Sequence, residues 1–232
     1  CAEEVKAAGK ILIGGSGMET TRQTVLLTQE AERLGADAVL VIPPYFYKPA
    51  MNHQVLVEHY STLAAETNVP ILLYNVPNFT GVAFGTPTIL ELSKNLRIVG
   101  MKDSSNNLVQ MTEVRALAPD FQIFAGTGSA LLGFMSIGAL GGIMAQANFA
   151  AKPLRALYDS FLAGDQEEAR RIQLLLAPLN TAVTGTYGVP GLKYVCEKLG
   201  FKAGHCRKPL LPINAEAKGK LDALIDRCAE IL

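Results

Sequence analysis

Short apolar runs alternate with amphipathic stretches along most of this chain. Ile11–Gly14, Ala38–Ile42, Ile71–Asn75, Ile98–Lys102, Gln122–Ala125 and Gly141–Ala145 read as strands. Their apolar residues are nearly continuous rather than alternating, as expected of strands buried on both faces of a parallel sheet. The first intervening helix follows Gly14-Gly-Ser-Gly17 and has apolar residues at Val25, Leu26 and Leu34. The second covers about His53–Glu66, and the third starts at Thr86-Pro87, with threonine as N-cap and proline at the first helical position. Further helices are predicted over about Leu108–Leu117, Ser129–Ile137 and Pro153–Leu162. After Gly164 the strands stop, and three helical segments follow, near Gln166–Ala177, Pro190–Leu199 and Ala215–Ile231. Strand–helix alternation of this kind predicts an α/β fold.

Six βα units do not close a barrel of ordinary eight-strand geometry. The chain also opens on Cys1–Ala8, which reads as the tail of a helix running into a strand. The expectation is therefore a (β/α)8 TIM barrel lacking its first two βα units over residues 1–164, followed by a C-terminal helical domain over 165–232. An open six-stranded sheet is the alternative, with the drawback of two exposed hydrophobic edges.

Composition narrows the function classes. With 21 Lys plus Arg against 21 Asp plus Glu, and no basic run, nothing points to nucleic acid or an anionic membrane surface. Cys1, Cys196, Cys206 and Cys228 form no C-x-x-C pair. This argues against zinc and for reduced thiols, and no metal or cofactor is expected. Phe121–Ala151 carries no charge but holds several glycines, Gln146 and Asn148, so it reads as two buried strands flanking a helix rather than a membrane span. No targeting peptide is visible.

Polar groups gather at five strand ends: Gly15-Ser16, Pro44–Tyr47, Tyr74-Asn75, Lys102–Ser104 and Gly126-Thr127. In a barrel such ends converge on one face. Lys102 ends the apolar run Ile98-Val-Gly-Met101. Desolvation favours the free amine, and a free amine beside a carbonyl forms a Schiff base. A lysine snorkelling at a strand end is the plain alternative. Tyr74 ends the preceding strand, where its hydroxyl would sit near Lys102 and relay protons; a packed tyrosine is the plain alternative. Ser104, Gly126 and Thr127 offer hydroxyl and backbone N–H donors to a carboxylate. The glycines at 14–17 match no phosphate-loop pattern and read as a tight turn. His53, His59 and His205 show no evident partners and receive no role.

Ile71-Leu-Leu-Tyr-Asn-Val-Pro77, Thr80-Gly81, Ile98-Val-Gly-Met-Lys-Asp-Ser104, Ala125-Gly126 and Gly164-Asp165 carry a resemblance that runs nearly end to end. The chain resembles the pyruvate-dependent class I aldolases of the dihydrodipicolinate synthase and N-acetylneuraminate lyase superfamily. That resemblance implies an eight-unit barrel, a small helical C-terminal domain and a homo-oligomer, usually a tetramer built as a dimer of dimers. It also implies Lys102 as imine former, Tyr74 as proton relay, a small 2-oxo acid as substrate, and Ser104, Gly126 and Thr127 as substrate contacts. Within the superfamily the 4-hydroxy-2-oxoglutarate aldolases are most similar, through Asn180–Lys193, Gly14–Thr20 and Cys206–Leu210. The expected reaction is cleavage of 4-hydroxy-2-oxoglutarate to pyruvate and glyoxylate, in the mitochondrion of an animal and otherwise in the cytoplasm.

The synthases of the superfamily usually carry an arginine five residues after the tyrosine, where this chain has Phe79. The tyrosine that members lend a neighbouring subunit aligns with Phe46, flanked by Tyr45 and Tyr47. The family's carboxylate-binding Gly-[Ser/Thr]-[Ser/Thr/Asn]-Gly-Glu segment has no counterpart before Ile11. Two other readings stay open: a lyase or synthase of the same superfamily acting on another 2-oxo acid, and a truncated, inactive subunit that serves as a partner.

Overall fold

The computed structural model describes residues 1–232. Six strands, β1 (Ile13–Gly15), β2 (Ala38–Val41), β3 (Ile71–Asn75), β4 (Ile98–Asp103), β5 (Gln122–Ala125) and β6 (Gly141–Gly142), follow one another in the sheet in chain order. The pairings from β1 to β4 are all parallel. The architecture is α/β with six strands, as the alternation predicts.

The helices are α1 (Ala2–Ala7), α2 (Thr21–Arg33), α3 (His53–Glu66), α4 (Pro77–Thr80), α5 (Thr86–Leu92), α6 (Leu108–Leu117), α7 (Leu131–Ser136), α8 (Ala147–Leu162), α9 (Gln166–Thr181), α10 (Gly188–Lys198) and α11 (Ala215–Arg227). Several start where a side-chain oxygen takes up an otherwise unpaired backbone N–H. Thr20, Asn52, Asn107, Asp165 and Asn214 cap α2, α3, α6, α9 and α11 in this way. At α5 the cap is Gly85, and Thr86 is already helical, one residue later in role than its sequence suggests.

Three strands are shorter than their apolar runs, β2 by the single residue Ile42. β1 begins at Ile13 because the Leu12 N–H donates to the Asp37 carboxylate (2.8 Å) instead of to the ladder. β6 ends at Gly142 because Ala147 N–H reaches back to Met144 O (3.1 Å), turning the chain into a helix. α8 starts earlier than expected, at Ala147, but is broken at Ala150, so Pro153 lies in the first turn of its regular part. On α2, Val25 faces the core while Leu26 and Leu34 are exposed, so the apolar spacing there does not mark one buried face. Gly17 serves the tight turn: a Cβ there would stand 2.7 Å from Ile42 N.

The chain packs as two compact units, Cys1–Phe124 with Ile137–Leu140, and Ala125–Ser136 with Gly141–Leu232. Val39, Val41, Ile71, Leu73, Ile98 and Met101 centre the first core, with Leu56, Tyr60 and Leu63 of α3. Leu154, Leu157, Ile172, Leu176, Leu179 and Val195 centre the second. All four cysteines are free. No helix is long and apolar enough to cross a membrane, and Phe121–Ala151 forms β5, α7 and β6 before entering α8.

Candidate active site

β3 and β4 bring together the two residues that the strand ends suggested. A register shift between Ile71 and Leu72 sets Leu73 against Met101, Tyr74 against Lys102 and Asn75 against Asp103. β4 lies close to the next strand: a Cβ on Gly100 would collide with Gln122 O, so no larger residue fits there. Lys102 is 9% exposed, and its Nζ stands 3.9 Å from the centre of the Tyr74 ring. The negative face of an aromatic ring attracts a cation, so the Tyr74 ring is a favourable resting place for the Lys102 head group.

Side chains alternate along a strand, so the next matched pair points to the opposite side of the sheet. There Asn75 Nδ2 donates to Asp103 Oδ1 (2.6 Å), and both residues are fully buried. The Ser105 hydroxyl is within 2.8 and 2.9 Å of the two Asp103 oxygens. Asn75 Oδ1 accepts from Phe84 N–H (3.3 Å), and Asn75 O from Ser104 N–H (2.8 Å). Burial raises the Asp103 carboxyl above the ordinary carboxylate range, against the opposing pull of the Asn75 and Ser105 hydrogen bonds. Asn106, with φ 63°, turns the chain out of this cluster in a left-handed conformation that asparagine tolerates. Sequence reading missed the Asn75–Asp103 pair, although Tyr-Asn and Lys-Asp at two successive strand ends carry its signal.

The bond to Asn75 also revises Ser104. Its backbone N–H is spent on the strand pairing, which leaves the hydroxyl as its donor. Gly126 and Thr127 lie in the second unit, where the Thr127 hydroxyl oxygen accepts from Asn180 Nδ2 (2.9 Å). In the first unit, the loop after β2 is pinned by Glu19, whose carboxylate accepts from Tyr45 and Phe46 N–H (3.0 and 2.8 Å). The Phe46 and Tyr47 rings are exposed and meet edge to face, and Phe79 is 80% exposed.

Two histidines do have partners, contrary to expectation. His59 Nδ1 is 2.8 Å from Thr21 Oγ1, and burial lowers its pKa to about 4. His53 Nδ1 is 3.0 Å from Thr88 Oγ1, and its Nε2 is 3.1 Å from Glu91. A cavity of about 780 Å3 opens at the amino end of β4, lined by Leu96, Val99, Leu117 and Phe121, at the strand end opposite Lys102. A buried amine beside a phenol is equipped for nucleophilic attack on a carbonyl with local proton transfer.

Comparison with known proteins identifies a family. The model of the dihydrodipicolinate synthetase family matches residues 2–228. A 4-hydroxy-tetrahydrodipicolinate synthase from Methanococcoides burtonii is 38% identical over 215 residues, covering 91% of this chain and 73% of the relative. Another from Bartonella bacilliformis is 34% identical over 233 residues, covering 100% of this chain and 78% of its own length. The solved 4-hydroxy-tetrahydrodipicolinate synthase from Methylacidiphilum fumariolicum SolV superposes with a TM-score of 0.92 at 32% identity, covering 100% of this chain and 77% of that one. These names support the superfamily but not the narrower expectation of a 4-hydroxy-2-oxoglutarate aldolase. Glyoxylate as product and a mitochondrial address lose support with it, since these relatives are bacterial and archaeal.

Proposed function

The chain belongs to the dihydrodipicolinate synthetase family, whose members are carbon–carbon lyases and synthases, and on that premise we propose a Schiff-base enzyme in which Lys102 forms the imine. The carrying observation is Lys102 Nζ lying 3.9 Å over the Tyr74 ring on the neighbouring strand. In this reading the Lys102 amine attacks the ketone carbon of pyruvate, and loss of water leaves an iminium. The iminium draws electrons from the adjacent C–H bond, and loss of that proton gives an enamine. The enamine carbon attacks an aldehyde, making the new carbon–carbon bond while the aldehyde oxygen takes up a proton. Hydrolysis then returns the free lysine. Tyr74 passes protons to and from the substrate oxygens. Ser104, Gly126 and Thr127 are carried over from the resemblance as substrate contacts.

The names of the relatives favour condensation of pyruvate with aspartate semialdehyde as the reaction. Phe79 favours a second reading, cleavage of 4-hydroxy-2-oxoglutarate, because an apolar ring cannot pair with the carboxylate that the synthase arginine would hold. The eight-unit barrel, the homotetramer and the helical domain from residue 165 belong to the same proposal.

Borohydride reduction with pyruvate should add a covalent pyruvyl mass to the peptide holding Lys102, and Lys102→Ala should abolish both that adduct and turnover. Undiminished turnover in Lys102→Ala rejects the mechanism. Assaying pyruvate plus aspartate semialdehyde beside 4-hydroxy-2-oxoglutarate decides between the two substrates.

A further inference from the structure

The segments that follow β2, β3 and β4 leave the sheet at one edge, because Val41 stands beside Leu73, and Tyr74 beside Lys102, in parallel register. They cover residues 42–52, 76–85 and 104–107, and Lys48 is the only charged residue in them. The Lys48 side chain lies across Gly81: a Cβ there would stand 2.9 Å from its Cδ and 3.0 Å from its Nζ. Gly81 in turn is held near the end of β3, since its N–H donates to Pro77 O (2.8 Å) at the start of α4. All of these residues belong to the first compact unit.

Lys48 is exposed and takes part in none of the protein's ion pairs. Glu19, the acid that touches its loop, gives Oε2 to the Tyr45 and Phe46 N–H groups. The ammonium is therefore free for an anion from outside the chain. Its stem rests on Gly81, and its backbone opens the 3₁₀ turn Lys48–Ala50, so the head group stays beside the end of β3. In the Schiff-base reading this edge receives a substrate with a carboxylate remote from the carbonyl that Lys102 attacks. Aspartate semialdehyde and 4-hydroxy-2-oxoglutarate both bring one. An ammonium attracts such a group and donates charge-assisted hydrogen bonds to it. Phe79, two residues before Gly81, offers it only an exposed apolar ring.

We propose that Lys48 is a specificity-determining residue that pairs with the substrate carboxylate remote from the imine. The inference rests on the Schiff-base reading and adds to it the cation that selects a substrate with a second acidic end. Gly81 is part of the arrangement: its φ of 67° suits glycine, and the missing Cβ leaves the space that the lysine stem fills. Pyruvate, whose single carboxylate adjoins its carbonyl, makes no use of Lys48. 2-Oxoglutarate, which is 4-hydroxy-2-oxoglutarate without its hydroxyl, carries the remote carboxylate and has the same ketone for Lys102 to attack.

Borohydride trapping on Lys102, measured across concentrations of 2-oxoglutarate and of pyruvate, tests this without requiring turnover. Lys48→Met keeps a stem over Gly81 and removes only the charge. In that variant the 2-oxoglutarate concentration giving half-maximal adduct should rise about three- to tenfold, while that of pyruvate moves by less than about twofold. Lys48→Arg restores the charge and should recover most of the loss, and Lys48→Glu should weaken 2-oxoglutarate further than Lys48→Met does. Equal shifts for both acids in Lys48→Met mean that Lys48 only holds its loop in place, and they overturn the proposal. An unmoved half-saturation for 2-oxoglutarate overturns it as well, as does an unsubstituted protein that traps pyruvate but not 2-oxoglutarate. Absence of any adduct from the unsubstituted protein rejects the Schiff-base reading itself, whereas a normal pyruvate adduct with either of those results rejects only the role of Lys48.

Discussion

The contact between Lys102 and Tyr74 is to the ring face, and this has a consequence for how the pair works. An ammonium over the ring is stabilised there, by roughly 0.5–2 kcal/mol in such pairs, and has to lose a proton and leave the ring before the amine attacks a carbonyl. The ring and the hydroxyl of Tyr74 therefore do separable things. Tyr74→Phe keeps the ring and removes only proton relay, so trapping of pyruvate by borohydride should continue while turnover falls about 10²- to 10³-fold. Tyr74→Leu removes both, and should slow turnover at least as far. Equal turnover in Tyr74→Phe and the unsubstituted protein would remove the hydroxyl from the mechanism. At this scale much was legible. A charged residue ending a doubly buried strand marks Lys102, and the matching strand end marks Tyr74. The ring-face geometry was not legible, because side-chain torsions decide it. Nor was the spent N–H of Ser104, which depends on cross-strand register.

Between elements, the Asn75–Asp103 pair ties the end of β3 to the end of β4 one residue beyond the Tyr74–Lys102 pair. Removing the carboxylate strands the buried Asn75 amide and takes the partner from the half-buried Ser105 hydroxyl, at a cost of about 1–3 kcal/mol. Asp103→Ala should lower the unfolding free energy by that amount and reduce kcat along with it, since the strand ends lose their lock. Exchanging the two side chains, Asn75→Asp with Asp103→Asn, keeps one donor facing one acceptor and should recover most of the loss in urea unfolding. No recovery would mean that the environment, rather than the pairing, sets the cost. The strands themselves were readable: β3 and β5 match their apolar runs at both ends. What escaped was set by side chains far away in sequence or by backbone turns, such as Asp37 displacing the start of β1. The five-residue π-helix Ala182–Thr186 at the end of α9 carries no sequence signal comparable to a cap or an apolar period.

For the molecule as a whole, a division at residue 164 follows the change from strands to helices, whereas packing joins Ala125–Ser136 to the C-terminal helices. Hydrogen bonds from α9 amides explain that grouping, and amides within an amphipathic helix do not announce their partners in the sequence. Global stability carries its own test through His59. Its Nε2 is buried with no partner, so the charged ring would have an unsatisfied N–H, and burial holds its pKa at about 4 against an ordinary 6.5. The sign follows from proton binding. Between those two values the unfolded chain takes up a proton that the folded chain refuses, so stability is full above pH 6.5 and falls as pH drops toward 4. The expected loss between pH 7.5 and 5 is about 2 kcal/mol. Asp103 contributes with the opposite sign: its raised carboxyl binds a proton more tightly in the folded chain, so its contribution is full at low pH and is lost as pH rises through the folded value. Asp103→Asn removes that second contribution without touching the first. Urea unfolding at pH 7.5 and 5 should therefore show the acid loss persisting in Asp103→Asn and shrinking in His59→Gln, whose amide can still reach Thr21 but takes up no proton. An unchanged acid loss in His59→Gln would assign it to other groups.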